Sequence, residues 1–300
     1  MSDRPRIVVT GATGLVGRAL AQALAKGGYA VTALQSRTRG PGGMDVASGW
    51  VDDAFLEGAE AVIHLSGEPI AQRWTKSAKA RILTSRVEGT RLLAAALARL
   101  KQPPKTFISM SGINRYGVWR PGETVTEASS LSNIGFLAEI SEQWEMATQA
   151  AQERGIRTVW LRTGVVLAGS GGALQKMRLP FSLGLGGPIG SGQQRLSWIR
   201  LGDLIRLIQW ALATPSIQGA VNAVAPQPVS QRTFARYLGQ ALHRPAILPL
   251  PAFAVGLVFG EMGRETLLGD LAVTPAKALT AGFVFETPDL PSALRAALCE

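Results

Sequence analysis

Residues 6–17 read Arg6-Ile-Val-Val-Thr10-Gly-Ala-Thr-Gly-Leu-Val-Gly17. Ile7, Val8 and Val9 are β-branched and apolar, Thr10 is β-branched, and Gly11 ends the run, which predicts a short buried strand over Arg6–Thr10. From Gly14 to Lys26, Leu15, Ala19, Leu20, Ala23 and Leu24 recur at helical spacing, and Gly27-Gly28 stops the helix. Tyr29 to Leu34 reads as a second strand. Strand, turn, helix and strand in about thirty residues make a βαβ unit, whose parallel strands need a right-handed crossover. The glycines between strand and helix follow a G-x-x-G-x-x-G spacing, and each has a separate task. Gly11 permits the tight turn, Gly14 lets backbone approach a pyrophosphate, and Gly17 lets helix and strand pack closely. The turn residues Thr13, Leu15 and Val16 then offer free N–H groups and the positive end of the helix dipole to that anion.

The alternation continues along the chain. Ala61–Leu65, Thr106–Met110, Arg157–Leu161 and Ala220–Val224 read as strands; 75–100, 134–154, 203–213 and 231–241 read as helices. The expected fold is α/β: a doubly wound, mainly parallel Rossmann-type sheet with helices on both faces. Gly169–Gly172 and Gly184–Gly192 read as Gly-rich loops. The proline-punctuated tail reads as a small, mainly helical C-terminal lobe, which divides the chain into residues 1–240 and 241–300.

Composition bounds the rest. Of 300 residues, 46% are hydrophobic and 17% charged, which excludes an intrinsically disordered chain. The formal net charge is +10, but the basic residues are scattered and no run interleaves with stacking aromatics, so nucleic acid is not the expected partner. One cysteine, Cys299, and two histidines, His64 and His243, exclude an internal disulfide and predict no zinc site. The longest apolar candidate, Leu250–Gly260, is interrupted by Pro251 and Gly256, and no secretory signal is evident. These features predict a cytoplasmic protein with a small-molecule substrate, no membrane partner, and a monomeric or homodimeric state.

The end of the second strand distinguishes the two nicotinamide dinucleotides. An acid there would bond a ribose 2′-hydroxyl. The chain instead reads Leu34-Gln-Ser-Arg37, and Arg37 can pair with a 2′-phosphate, with Arg39 assisting. NADP(H) is therefore the expected cofactor.

Together, the Gly-rich turn, Ala61-Val-Ile-His-Leu-Ser-Gly67 and Arg162-Thr-Gly-Val-Val166 resemble the extended short-chain dehydrogenase/reductases. Gly67-Glu-Pro-Ile70, Arg73-Trp74, Phe136-Leu-Ala-Glu139 with Trp144-Glu145, and Gly184-Leu-Gly-Gly-Pro-Ile-Gly-Ser-Gly192 resemble more narrowly the atypical YfcH-like epimerase-family branch, which carries a C-terminal domain of unassigned function. The resemblance spans nearly the whole chain. It implies that Ser36 and Arg37 hold the 2′-phosphate, that Leu65, Ser66 and Gly67 follow the dinucleotide, and that Arg86, Ser109 and Val166 contribute to the same site.

Short-chain dehydrogenases carry Tyr-x-x-x-Lys on a helix, the ammonium lowering the phenol pKa for proton transfer. This chain has no such pair. By alignment, the two positions fall on Phe136 and Ile140, or on Leu137 and Ser141. Ser111 is retained at a strand end. Tyr116, with Arg115 or Arg120 to lower its pKa, is the leading substitute, and Glu68 and Glu139 are carboxylate alternatives. Arg178, Arg195, Arg200 and Trp198 are candidates for holding an anionic substrate, while His64 reads as a buried structural histidine. Two functions stay open: an oxidoreductase or epimerase on a small carbonyl or sugar-type substrate, and a non-catalytic NADP(H)-binding sensor or partner-binding module.

Overall fold

The computed structural model describes residues 4–300. Seven strands form its central sheet: β1 (Arg6–Thr10), β2 (Ala30–Ser36), β3 (Gly43–Asp45), β4 (Ala61–His64), β5 (Thr106–Gly112), β6 (Arg157–Thr163) and β7 (Gly219–Ala223). They lie in the order β3-β2-β1-β4-β5-β6-β7, every pair parallel. The two-residue strand Trp50–Val51 closes the β3 edge antiparallel. This is the doubly wound order expected from the βαβ alternation. All four residues of β4 are buried, which is why Ala61-Val-Ile63 reads as an apolar run; His64 is buried with them.

Helices cover both faces. Helix α1 (Leu15–Lys26) packs Leu20 and Leu24 against β1 and β4 on one face, together with Leu204, Leu207 and Ile208 of the helix Leu201–Ala213. On the other face, Leu93, Ala94 and Leu97 of the helix Gly89–Arg99 pack against Val8, Val62 and Phe107. The long helix expected over 75–100 is three pieces: α2 (Lys76–Leu83), a π-helical turn over Thr84–Glu88, and α3 (Gly89–Arg99). The helix expected over 134–154 starts as α4 (Phe136–Met146) and breaks before Gln149–Glu153. Gly172, read as loop, starts α5 (Gly172–Ser182); α6 (Leu201–Ala213) and α7 (Gln231–Ala241) follow.

Beyond residue 241 the chain forms α8 (Ala252–Thr266), the strand Asp270–Val273, a short helix Ala276–Thr280 and α9 (Leu290–Cys299). Asp270–Val273 pairs in parallel with Trp119–Val125. Leu290, Ala293, Leu294 and Ala297 of α9 pack on Phe234 and Leu238 of α7, and Phe283 and Phe285 join the core beneath α6. This segment therefore shares its hydrophobic cores with the sheet. It also walls the crevice at the carboxyl ends of β4, β5 and β6.

Candidate functional site

Strand order reverses between β1 and β4, and loops at such a switch point diverge to leave a crevice. The Gly-rich turn sits there without room for side chains. Gly11 has φ +67°, and a Cβ on it would lie 2.9 Å from the carbonyl carbon of Leu65 and from Ser66 N. A Cβ on Gly17 would lie 2.1 Å from Gly11 O. Gly14 is the N-cap of α1 and provides no side-chain hydrogen bond, and the first turn of α1 holds no acid. The amides of that turn are therefore open to an anion. Thr10 ties the two loops together: its hydroxyl accepts from Leu65 N at 3.1 Å and Ser66 N at 3.2 Å, and lies 2.7 Å from His64 Nδ1. Having accepted two N–H groups, the hydroxyl has its own proton for Nδ1, which leaves Nε2 as the protonated ring nitrogen, without a partner. Burial lowers the pKa of His64 to about 4, so the ring is neutral.

At the end of β2, Ser36 Oγ lies 3.3 Å from Ser66 Oγ. Arg37 follows with φ +63°, its side chain 83% exposed and one Nη 3.5 Å from Glu68 Oε2. Arg39 is engaged elsewhere, by Asp45 and Ser48. The donors around this corner are Ser36, Ser66 and Arg37, which suit a phosphate.

Arg86 stands on the π turn, the kind of helix irregularity often found at functional sites. It is 8% exposed, donates to Glu68 O at 2.8 Å and lies over the Trp144 ring at 5.1 Å. A Cβ at Gly67 would come within 3.1 Å of its guanidinium, so the glycine makes room for the arginine. Burial lowers the Arg86 pKa to about 10, which leaves it charged at neutral pH; its Nε has no partner. Ser85, on the same turn, accepts Glu68 N.

A cavity of about 350 Å³ continues from this corner. Its walls come from Leu65–Gly67, Arg86, residues 110–114 at the end of β5 and just beyond it, residues 163–165 at the end of β6 and just beyond it, α4 and the C-terminal segment. Ser111 faces it and donates to Glu145 Oε1 at 2.8 Å. Arg162 grips the same carboxylate through Nε at 2.8 Å and Nη2 at 2.7 Å. Burial opposes the charge on Arg162, but the bonds and charge of Glu145 outweigh it and raise its pKa. From the C-terminal segment, Glu265 lines the cavity and accepts Phe136 N at 2.9 Å and Leu137 N at 3.0 Å, capping α4.

Several sequence expectations need correction. Tyr116 is fully buried and does not line the cavity; its hydroxyl donates to Asn222 Oδ1 at 2.8 Å. Burial pushes the phenol pKa up, the reverse of what proton transfer near neutral pH requires. Arg115 and Arg120, expected to lower it, pair with Glu142 and Glu123. Glu68 lies outside the cavity lining. Burial raises its pKa, but hydrogen bonds from Arg81 and Gln72 and the charges of Arg81 and Arg37 outweigh this and hold it below the usual carboxylate value. Glu139 is exposed on α4, away from the cavity. Ser109 is fully buried, its hydroxyl turned to Met110 O, because β5 is packed on both sides at that point.

The expected anion-holding group does not assemble. Arg178 is exposed on α5 outside the cavity. Trp198 is fully buried, with Nε1 on Gln227 O. Arg200 pairs with Glu286 and Glu300. Arg195 does reach the cavity wall, but Asp270 holds it at 2.8 Å. Leu65, Ser66, Gly67, Arg86 and Ser111 all line the one cavity. Val166 packs against the core one residue past the wall. Sequence reasoning missed Glu145, Arg162 and Glu265. The signal for Arg162 was a charge inside the apolar strand Thr158-Val-Trp-Leu-Arg162. Glu265 carried no local signal, since its partner is 129 residues away.

Comparison with known proteins places these features in context. The NAD dependent epimerase/dehydratase family matches residues 7–223, and the domain of unknown function DUF1731 matches residues 250–297. The chain is 38% identical over 296 residues to epimerase family protein SDR39U1 of Mus musculus, covering 97% of this chain and 98% of that one. It is 36% identical over 294 residues to epimerase family protein YfhF of Bacillus subtilis, covering 96% of each. The crystal structure of human SDR39U1 isoform 2 with NADPH superposes with a TM-score of 0.88 at 36% identity, covering 98% of this chain and 99% of that one.

Proposed function

Because the chain belongs to the NAD dependent epimerase/dehydratase family, we propose that it binds NADP(H) and acts as an oxidoreductase or epimerase on a small carbonyl or sugar-type substrate. The observation that carries this reading is the corner where Gly11, Gly14 and Gly17 leave backbone amides open while β2 ends in Ser36 and Arg37 rather than in an acid. The human relative crystallised with NADPH supports the same choice of cofactor.

When bound, the nicotinamide supplies or accepts a hydride. The chain's own residues do the rest. The first turn of α1 receives the pyrophosphate, Ser36 and Arg37 receive the 2′-phosphate, and Arg86 brings a fixed positive charge to the inner end. Ser111, whose own proton goes to Glu145, accepts a substrate hydroxyl through its lone pairs. Its hydroxyl is aimed by Glu145, and Glu145 is in turn held by Arg162. The experiment is calorimetric titration of NADPH and NADH. NADPH should bind about tenfold or more tightly, and Arg37→Ala should remove most of that preference. Equal affinities in the unaltered protein would overturn the reading.

A second reading, non-catalytic NADP(H) binding, is favoured by one observation. Phe136 and Ile140, or Leu137 and Ser141 in the adjacent register, fall at the positions of the usual proton-transfer pair, and the tyrosine nearest in sequence is sealed in the core. NADPH binding with no NADPH consumption and no epimer formation across a broad carbonyl and sugar screen would decide for it.

A further inference from the structure

The charge of this chain is unevenly placed. Between Arg154 and Gly260 the sequence holds eleven Lys and Arg and a single acid, Asp203, so this stretch carries the whole formal net charge of +10. Asp203 is buried and accepts the amides of Glu286 and Thr287. Arg162, Arg195, Arg200 and Arg206 pair with carboxylates from outside the stretch. Lys176 and Arg178 on α5, Arg232 and Arg236 on α7, and Arg244 are exposed and, among the described residues, have no carboxylate within 4.0 Å.

Helix α5 and the chain from Arg244 into α8 also expose large apolar side chains. Leu179, Leu183 and Leu185 are 60–67% exposed at the end of α5 and just beyond it; Ile247, Phe253 and Leu257 are 75–78% exposed before and along α8. Backbone and side-chain bonds strap the two arms together: Leu248 N to Gly186 O, Leu250 N to Pro188 O, Gly190 N to Leu250 O, and Arg244 Nε to Ser182 O. The arms therefore form one face that exposes large apolar side chains, with Lys176, Arg178 and Arg244 on the same arms; the nearest acid along α8, Glu261, is paired with Lys79.

We propose that this face docks on an anionic lipid surface. Soluble monomers rarely expose so many large apolar groups together. An apolar face edged by Lys and Arg is the signature of a helix lying in a membrane interface. A second copy is the poorer occupant, because it would bring the same uncompensated cations face to face. Docking here is peripheral, since among the described residues no helix is long and apolar enough to cross a membrane. It also reaches the site: Phe253 and Leu257 begin α8, Gly260 breaks its geometry at φ 61° and ψ −139°, and Glu265 and Thr266 at its far end wall the cavity.

The test is cosedimentation of the full chain with phosphatidylcholine vesicles, pure or with about 30 mol% phosphatidylglycerol. The protein should bind only the anionic vesicles and should come off at about 0.5 M salt. Phe253→Ser with Leu257→Ser should lower binding about tenfold or more, with an unchanged melting temperature. Arg178→Gln with Arg244→Gln should lower it too and flatten the salt dependence. Failure to bind anionic vesicles would overturn the proposal. So would binding indifferent to positions 253 and 257, or light scattering in which the serine variant turns a dimer into monomers.

Discussion

Glu145 and Arg162 meet as a buried fork, Nε on one carboxylate oxygen at 2.8 Å and Nη2 on the other at 2.7 Å, both side chains less than a tenth exposed. The pair joins the two halves of the site. Its Glu145 end holds Ser111 against the cavity, and its Arg162 end lies over the Tyr116 ring at 4.9 Å. Removing one partner leaves a buried charge without compensation, which is worse than never having had the pair. Arg162→Met should therefore cost about 3–5 kcal/mol in urea unfolding. A loss under about 1 kcal/mol would mean that water reaches Glu145 and the fork is not sealed.

Tyr116→Phe tests whether this residue belongs to the fold or to the chemistry. It removes the donor to Asn222 Oδ1 and should cost about 1–3 kcal/mol. NADPH affinity should be unchanged, because the phenol does not line the cavity. Ser111→Ala should behave in the opposite way, lowering kcat on any NADPH-consuming substrate by about a hundredfold. If Tyr116→Phe lowers kcat by a comparable factor with stability intact, the assignment of roles is reversed.

Gly17→Ala places a methyl group 2.1 Å from Gly11 O, where backbone cannot yield without moving the whole turn. The variant should lose NADPH affinity by about tenfold or more and melt at a lower temperature. Gly28→Ala serves as the control. Nothing lies within 4 Å of a Cβ there, so its cost should be conformational, from φ +88°, and its NADPH affinity normal.

His64 makes the fold sensitive to mild acid. The folded ring titrates near 4 and the unfolded ring near 6.5, so the unfolded chain takes up the proton first as pH falls. The stability this difference represents is whole above pH 6.5 and is lost as pH falls from 6.5 toward 4, amounting to about 3 kcal/mol. Urea unfolding at pH 7 and at pH 4.5 should show a steeper loss in the unaltered protein than in His64→Asn. Parallel losses would mean that the ring is protonated in the folded state.

Glu265→Gln weakens the cap on α4 by replacing a carboxylate with a neutral amide at a helix N-terminus. The expected cost is about 0.5–1 kcal/mol. Hydrogen exchange should quicken at the amides of Phe136 and Leu137 before it quickens in β5. Unchanged exchange at those two amides would remove the contact as a link between the C-terminal segment and the cavity.

How much of this was legible in the sequence follows from the range of each interaction. The βαβ alternation, the parallel sheet and the phosphate turn are local: Gly11, Gly14 and Gly17 act within one turn, and the apolar runs of β1 and β4 are set by burial on both faces. The end of β2 at Ser36 and Arg37 was equally readable, because a cofactor corner is made by a strand end close to the turn in space. The π turn at Arg86 was not, since nothing in Thr84-Ser-Arg-Val-Glu88 opposes an ordinary helix.

What the sequence by itself determined was the fold, the phosphate corner and the loss of the tyrosine–lysine pair. What only the tertiary structure decided was which polar groups remain available for chemistry. Tyr116, Glu68, Arg195 and Arg200 all looked free along the chain, and each is held by a partner at least 75 residues away or, for Glu68, by Arg37 and Arg81, which converge on it from two elements. A side chain's availability depends on who satisfies its hydrogen bonds and charge, and those partners are chosen by packing rather than by sequence order.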